Sequence, residues 1–351
     1  MLNFIQNFLR FLLSILKNFL FKKKIFYIVE YKKWANFNDA INLKKFFKNK
    51  FIISHEIYGI RQSIIHIGTH YKLFKKDQTI NIHKSNKLIV FWPHLNKKNF
   101  ISKFLKNNIN KIFKINTCSI DTKKKLIKYG IPKNKLIYTP LAIDTKIFRE
   151  FNINRKKKLR KKYSIPENKL ILGSFVKDGV GFEYGWSAKN LKNPQMLIKS
   201  LKNIPNKKDL FVVLSGPARG YIKKELGKIG IEFFHKNCSS AKDLAELYNL
   251  VDVTIINSNI EGGPYSLLES LASGVPVIST KVGMSPEIIK NGHNGFLIKI
   301  NNHKSLTKKI KYFLINYKKN LPFKSNSRKS IIPYSIKENG KNFDNKVYKL
   351  S

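Results

Sequence analysis

Residues 257–300, NSNIEGGPYSLLESLASGVPVISTKVGMSPEIIKNGHNGFLIKI, constrain the fold more than any other stretch of this chain. An apolar strand at 251–256 runs into Glu261, and Gly262, Gly263 and Pro264 follow. Residues 266–272 carry helical spacing, stopped by Gly274 and Pro276, and 275–278 read as a short buried strand. The order is strand, loop, helix, strand, loop, short helix, strand, which is the signature of an α/β layer structure. Glycine lets backbone amides approach a ligand, and a helix start offers unpaired N–H groups at the positive end of its dipole. That combination suits a phosphate-bearing ligand. Each glutamate also has a purely local explanation. Ser266 and Glu269 have capping-box spacing, and Glu261 reads as a solvated loop carboxylate.

The rest of the chain repeats the alternation. Strands are expected at 25–29, 51–54, 63–67, 87–92 and 111–116, with helices at 38–47, 100–106 and 119–128. A second series of strands is expected at 170–176, 211–214, 231–234, 253–256, 275–278 and 295–298, with helices at 244–250 and 305–315. Parallel sheets follow from this alternation. The run RKKKLRKK at 155–162 reads as a solvated linker or helix face, and secondarily as a lipid headgroup contact. A chain of 351 residues is long enough for two such domains.

The formal net charge of +47 raises nucleic acid or an anionic membrane as partners. Lysine supplies nearly all of it, against seven arginines, and the abundant Lys, Asn, Ile and Phe share AT-rich codons. Readers of base edges rely more on arginine, so anionic lipid is the favoured partner and nucleic acid is not expected. Cys118 and Cys238 lie far apart, which suits a reduced, cytoplasmic compartment. No Cys/His cluster has zinc spacing, so no structural metal is expected.

Residues 1–21, MLNFIQNFLRFLLSILKNFLF, place Asn3, Gln6, Asn7, Arg10, Ser14, Lys17 and Asn18 on one helical stripe opposite a wide Leu/Phe/Ile face. A polar residue at every turn argues against a spanning helix. The basic-first and small-residue features of a signal peptide are missing. With Lys22, Lys23 and Lys24 next, a helix lying in a membrane interface fits best; the competing reading is a surface helix packed on the domain.

The central stretch resembles the nucleotide-sugar site of retaining glycosyltransferases of family 4, which have the GT-B fold. The resemblance rests on Glu261, seven residues, Glu269, then Gly274-Val275-Pro276-Val277-Ile278, Gly283-Met284-Ser285-Pro286-Glu287 and residues 291–297. It implies two Rossmann-like, doubly wound domains facing a cleft. On this reading, residues 1–21 are the membrane helix, 22–150 the acceptor domain, 151–168 a basic linker and 169–325 the donor domain. Residues 326–351 cross back to the first domain.

The resemblance also implies roles. Glu261 would act at the reacting centre and Glu269 would accept from ribose hydroxyls. Backbone amides at Gly262, Gly263, Tyr265, Ser266 and Leu267 would face the sugar and diphosphate. Lys177 and Lys192 match the basic pair that meets the diphosphate, with Lys189 as an alternative because Lys192-Asn193 stands where the family has Lys-Gly. Arg219 is a candidate nucleotide contact, or a turn residue paired with an acid. His94, after an expected strand, matches a histidine near the donor sugar; His66 and His70 are runners-up. The implied reaction moves a sugar from a nucleotide-diphosphate sugar to a saccharide or lipid-linked acceptor, with retention and without metal or cofactor. The implied setting is the inner face of the membrane, in cell-envelope polysaccharide or glycolipid assembly. The rival is a non-catalytic RNA- or lipid-binding protein on the same scaffold.

Overall fold

The computed structural model describes residues 2–30, 35–68, 82–95, 108–181, 183–316 and 323–348. The chain divides into two compact units, Met1–Ala142 with Tyr334–Ser351, and Ile143–Pro333. The division falls at Ala142 rather than at 150.

The first unit is a six-stranded parallel sheet: β1 (Ile25–Ile28), β2 (Phe51–Ser54), β3 (Ile64–Ile67), β4 (Lys87–Phe91), β5 (Lys114–Thr117) and β6 (Leu136–Tyr138). Its order is β2-β1-β3-β4-β5-β6. Helices α1 (Leu2–Leu20), α2 (Ala35–Phe47) and α3 (Ile120–Lys128) belong to this unit. Apolar side chains of β1 alternate between two clusters. Phe26 and Ile28 join Ile65, Val90 and Trp92, while Ile25 and Tyr27 join Leu43, Phe47 and Phe51. Burial on both faces is why these strands read as unbroken apolar runs rather than alternating ones. The short β6 was not expected as a strand, and the helix expected at 100–106 lies outside the described residues.

His66 lies inside β3. It is fully buried between the Tyr348 hydroxyl at 2.5 Å from Nδ1 and the Asn116 side-chain oxygen at 2.8 Å from Nε2. Burial pushes its pKa down to about 3, against the hydrogen bond to the Asn116 oxygen, so it is a neutral core residue. His70 lies outside the described residues.

The second unit is also six-stranded and parallel: β7 (Leu170–Ser174), β8 (Leu210–Ser215), β9 (Glu232–Lys236), β10 (Val253–Ile256), β11 (Val277–Thr280) and β12 (Gly295–Ile298). The order is β12-β11-β10-β7-β8-β9. The winding therefore reverses between β7 and β10, as in a dinucleotide-binding sheet. Its helices are α4 (Ile153–Lys162), α5 (Pro194–Lys202), α6 (Gly220–Lys228), α7 (Ala241–Tyr248), α8 (Tyr265–Ala272), α9 (Ser285–Ile288), α10 (His303–Asn316) and α11 (Phe323–Ser330).

The run at 155–162 is not a linker. It forms most of α4, capped by Asn152, whose side chain accepts from the Arg155 amide at 2.9 Å. Leu159 is buried, and Arg160 donates to Leu250 O at 3.1 Å and to the Asp252 carboxylate at 3.0 Å. Asp252 in turn accepts from the Ile171 amide of β7 at 2.9 Å. Leu159 and Arg160 thus attach the helix to the second unit, and Lys156 adds an ion pair with Glu150 at 2.9 Å.

The chain then returns. Residues Tyr334–Ser351 belong to the first unit, with α12 (Ile336–Phe343) followed by a wide turn at Asp344–Tyr348. Phe343, Val347 and Tyr348 join the core cluster of Tyr27 and Phe47, and Asn339 donates to Pro140 O at 2.6 Å. Phe343→Ala should cost about 3–5 kcal/mol through the cavity it leaves. Urea unfolding of the full chain would show it as a lower midpoint for the transition of the first unit. An unchanged midpoint would mean the tail contributes nothing to that core.

Candidate functional site

The reversal between β7 and β10 sends the loops after these strands in different directions, and the space between them is where such sheets bind ligands. Polar side chains stitch the two loops together. Asn257, the first residue after β10, donates to Lys192 O at 2.8 Å and Asn193 O at 2.7 Å. Asn259 donates to Asn190 O at 2.9 Å, and its amide to Leu191 O at 2.9 Å. Asn193 takes a left-handed conformation with φ +50° and caps α5. Asparagine is among the few non-glycine residues that adopt this conformation readily, and its side chain accepts from the Met196 amide. Asn193 thus takes a conformation that glycine adopts freely.

The stitching brings Lys192 against Glu261. The Lys192 ammonium pairs with the Glu261 carboxylate, which also accepts from Ser258 Oγ at 2.7 Å. Both side chains are mostly buried, at 22% and 12% exposure, so the pair is screened less than a surface one. Lys189 shares this field. Burial and the Lys192 charge push its pKa down, and Glu261 pulls it up. Lys177, just after β7, is half-buried. The structure therefore places Glu261, Lys189 and Lys192 together, with Lys192 in direct contact with the glutamate.

Arg219 is placed otherwise than expected. Its side chain is fully buried and donates to the carbonyls of Ser174 at 2.8 Å, Val176 at 2.5 Å and Ser215 at 2.8 Å, and to Ser174 Oγ at 2.9 Å. Its Nε lies 3.0 Å from the carboxylate of Asp178, which is itself buried. A guanidinium spent on the ends of β7 and β8 has no face left for a nucleotide. It is a positioning residue for the glycine-rich loop, paired with an acid. Burial raises Asp178 to about 6 despite the opposing pull of Arg219. The loop is packed to backbone contact, since a Cβ on Gly185 would lie 2.4 Å from Ala218 O.

Glu269 is not a capping residue. Helix α8 has Pro264 at its N-cap with no side-chain cap bond, and Ser266 is already inside the helix. Instead, the Glu269 carboxylate is buried and accepts from the Tyr248 hydroxyl of α7 at 2.8 Å. Burial raises its pKa to about 7, and the Tyr248 hydrogen bond opposes this. Gly262 is buried and Gly263 half-buried, and the downstream Gly283-Met284 segment supports this loop from behind. The Met284 amide donates to Gly262 O at 3.0 Å. A Cβ on Gly283, at φ +50°, would lie 2.0 Å from Gly262 O. Tyr265, Ser266 and Leu267 form the first turn of α8, where amides lack helical partners.

His94 follows β4 in the first unit and is half-buried. Among the described residues, no group of three His, Cys, Asp or Glu side chains is placed to hold a metal ion. Sequence reasoning missed Asp178, Tyr248, Asn257 and Ser258. Only Asn257 had a local signal, as a polar residue closing an apolar strand.

Two parallel Rossmann-like sheets, the second with a basic and acidic cluster at its reversal point, define the GT-B class. Residues 185–330 match the family model described as Glycosyl transferases group 1. The N-acetyl-alpha-D-glucosaminyl L-malate synthase of Bacillus anthracis is 30% identical over 114 residues, covering 32% of this chain and 30% of that protein. A second relative, from Campylobacter jejuni, is a GalNAc-alpha-(1->4)-GalNAc-alpha-(1->3)-diNAcBac-PP-undecaprenol alpha-1,4-N-acetyl-D-galactosaminyltransferase. It is 26% identical over 188 residues, 52% of each chain. The chain thus spans about half or less of the length of these relatives. Among solved structures, Anabaena HepE in complex with UDP and glucose superposes with a TM-score of 0.74 at 14% identity, covering 92% of this chain and 98% of that one. Residues 185–330 are thus similar to the group 1 glycosyl transferases, and the chain has the GT-B fold.

Glu269→Gln isolates the cost of the buried carboxyl. A folded-state pKa of about 7 lies above the ordinary 4.5, so the folded protein holds a proton the unfolded chain has lost between these values. Stability from this group is therefore lost as pH rises towards 7. At pH 8 the variant should be more stable than the parent by about 1–3 kcal/mol, and the difference should vanish near pH 4.5. Melting curves at the two pH values test this; a pH-independent difference would place Glu269 in a solvated environment.

Proposed function

We propose that this chain transfers a sugar from a nucleotide-diphosphate sugar to a saccharide or lipid-linked saccharide, retaining the anomeric configuration and using no metal or cofactor. One observation carries the reading: Glu261, Lys192 and Lys189 meet at the reversal point of the second sheet. The family match supports it, as does the UDP and glucose named for the HepE complex. The Campylobacter jejuni relative, named for a PP-undecaprenol-linked glycan, supports a lipid-linked acceptor in envelope polysaccharide or glycolipid assembly.

In this transfer, negative charge grows on the departing diphosphate while the sugar becomes oxocarbenium-like. Lys192, Lys189 and Lys177, with the amides of Gly262, Gly263, Tyr265, Ser266 and Leu267, meet the diphosphate. Glu261 lies at the reacting sugar, held in place by its pairing with Lys192. His94 contacts the donor sugar from the first unit. Glu269 accepts from the ribose hydroxyls. The protein acts peripherally on the cytoplasmic face of a membrane, with anionic lipid as a further partner.

Two measurements test this. Purified protein should release nucleotide diphosphate from a panel of nucleotide sugars, and Glu261→Ala and Lys192→Ala should each lower turnover about 100-fold or more. Near-parental turnover in either variant removes that residue from the reacting site, and no release from any donor overturns the reading. Ribose binding favours ionised Glu269, so UDP affinity should rise with pH through about 7 and lose this dependence in Glu269→Gln. Calorimetry at pH 6 and 8 checks the sign.

A further inference from the structure

A helix on a water-facing surface normally buries its apolar stripe and shows its polar one. Helix α1 does the reverse. Ser14 and Asn18, from its polar stripe, are buried against the first unit. Ser14 Oγ lies 2.7 Å from Ser54 Oγ and accepts from the His55 amide at 3.1 Å. Asn18 donates to Glu56 O at 2.9 Å and Tyr58 O at 2.8 Å, and accepts from Ser54 Oγ at 3.0 Å. The opposite face is left outward, with Leu9 52%, Leu13 57%, Leu16 58% and Leu20 71% exposed and Leu12 and Phe19 beside them. Phe19 is braced edge-on by Tyr58 at 6.0 Å, itself 68% exposed. A contiguous apolar face of this size on a folded protein marks an interaction surface.

The rim is cationic. Lys17, Lys22, Lys23 and Arg61 are exposed, and the Lys23 amide donates to Gln62 O at 3.0 Å, which brings the helix end beside Arg61. None of the four takes part in an ion pair among the described residues. A second copy seated on this face would bring two such rims together in a chain of net charge +47, and like charges across an interface oppose association. Among the described residues no helix is long and apolar enough to cross a membrane, so α1 lies along a surface rather than through it.

We infer that α1 is a membrane-docking element mounted inside out: its polar stripe is hydrogen-bonded to the first unit, and its Leu/Phe face enters the interface of an anionic bilayer. This rests on the membrane placement proposed above and gives it an element, a face and an orientation. The serine and asparagine bonds hold the helix in register, so the apolar face stays fixed relative to β2 when it meets lipid.

The test uses the full chain, the double variant Leu13→Glu/Leu16→Glu, and Lys22→Glu/Lys23→Glu. Both leucines are more than half exposed, so their replacement should leave the melting temperature within about 2 °C of the parent. Flotation with neutral phosphatidylcholine vesicles, and with vesicles containing about a third phosphatidylglycerol, reads binding. The parent should bind the anionic vesicles, more weakly but still measurably at about 0.5 M salt. Leu13→Glu/Leu16→Glu should lose binding at least tenfold, and Lys22→Glu/Lys23→Glu should lose the preference for anionic lipid. If the leucine variant floats like the parent, the body's lysines hold the membrane: the inference fails while the membrane placement survives. If the parent binds neither vesicle, both fail. A parent dimer in sedimentation without lipid, dissolved by the leucine variant, would assign the face to a second copy instead.

Discussion

The reversal of winding between β7 and β10 is the constraint on which the site depends. Two parallel strands end side by side there, and the chain leaves them in different directions. Carbonyls and amides at these ends lose their sheet partners and must find others. Arg219 gathers three carbonyls from the ends of β7 and β8, and Asn257 gathers two from the loop before α5. With those groups satisfied by buried side chains, the loops hold one shape. Lys192 is then fixed where its ammonium meets Glu261.

The same region carries unfavourable terms that the rest of the unit offsets. Asp178 and Arg219 are an ion pair taken out of water, and the rise of Asp178 to about 6 shows that its attraction to Arg219 does not fully compensate its burial. Glu269 is more exposed to this cost, because the only hydrogen bond described for it comes from the neutral Tyr248 hydroxyl. The apolar packing of the sheet, from Leu170 to Phe296, supplies the stability that tolerates it.

In the first unit the corresponding polar network does another task. His66, Asn116 and Tyr348 form a buried chain in which the histidine is held neutral, and the tyrosine comes from the last described residues. That chain ties the returning segment to β3 and β5 and specifies how Phe343 and Val347 seat. It accounts for one of the candidate histidines as structure, and leaves His94 as the half-buried one.

Periodicity, glycine and proline placement determined much of this protein. The apolar runs gave nearly every strand of both sheets, because strands buried on both faces need uninterrupted Val, Ile, Leu and Phe. The Glu261-to-Ile278 spacing marked the glutamates and the glycine loop. The stripe of Ser14 and Asn18 was also legible, though not that it faces inward. Partners distant in sequence were not legible. Tyr248 meets Glu269 from another helix, Asp178 meets Arg219 across two strands, and Ser54 meets Ser14 across forty residues. Capping-box spacing at Ser266 does not hold because Pro264, two residues earlier, is already the N-cap. The charge run at 155–162 left linker and helix face both open, since one buried leucine among cations leaves almost no pattern, and the fold decided for the helix. Local spacing fixes what a segment can form; the sheet order decides which side chains meet, and only that meeting turns a glutamate into a buried acceptor or an arginine into a clamp.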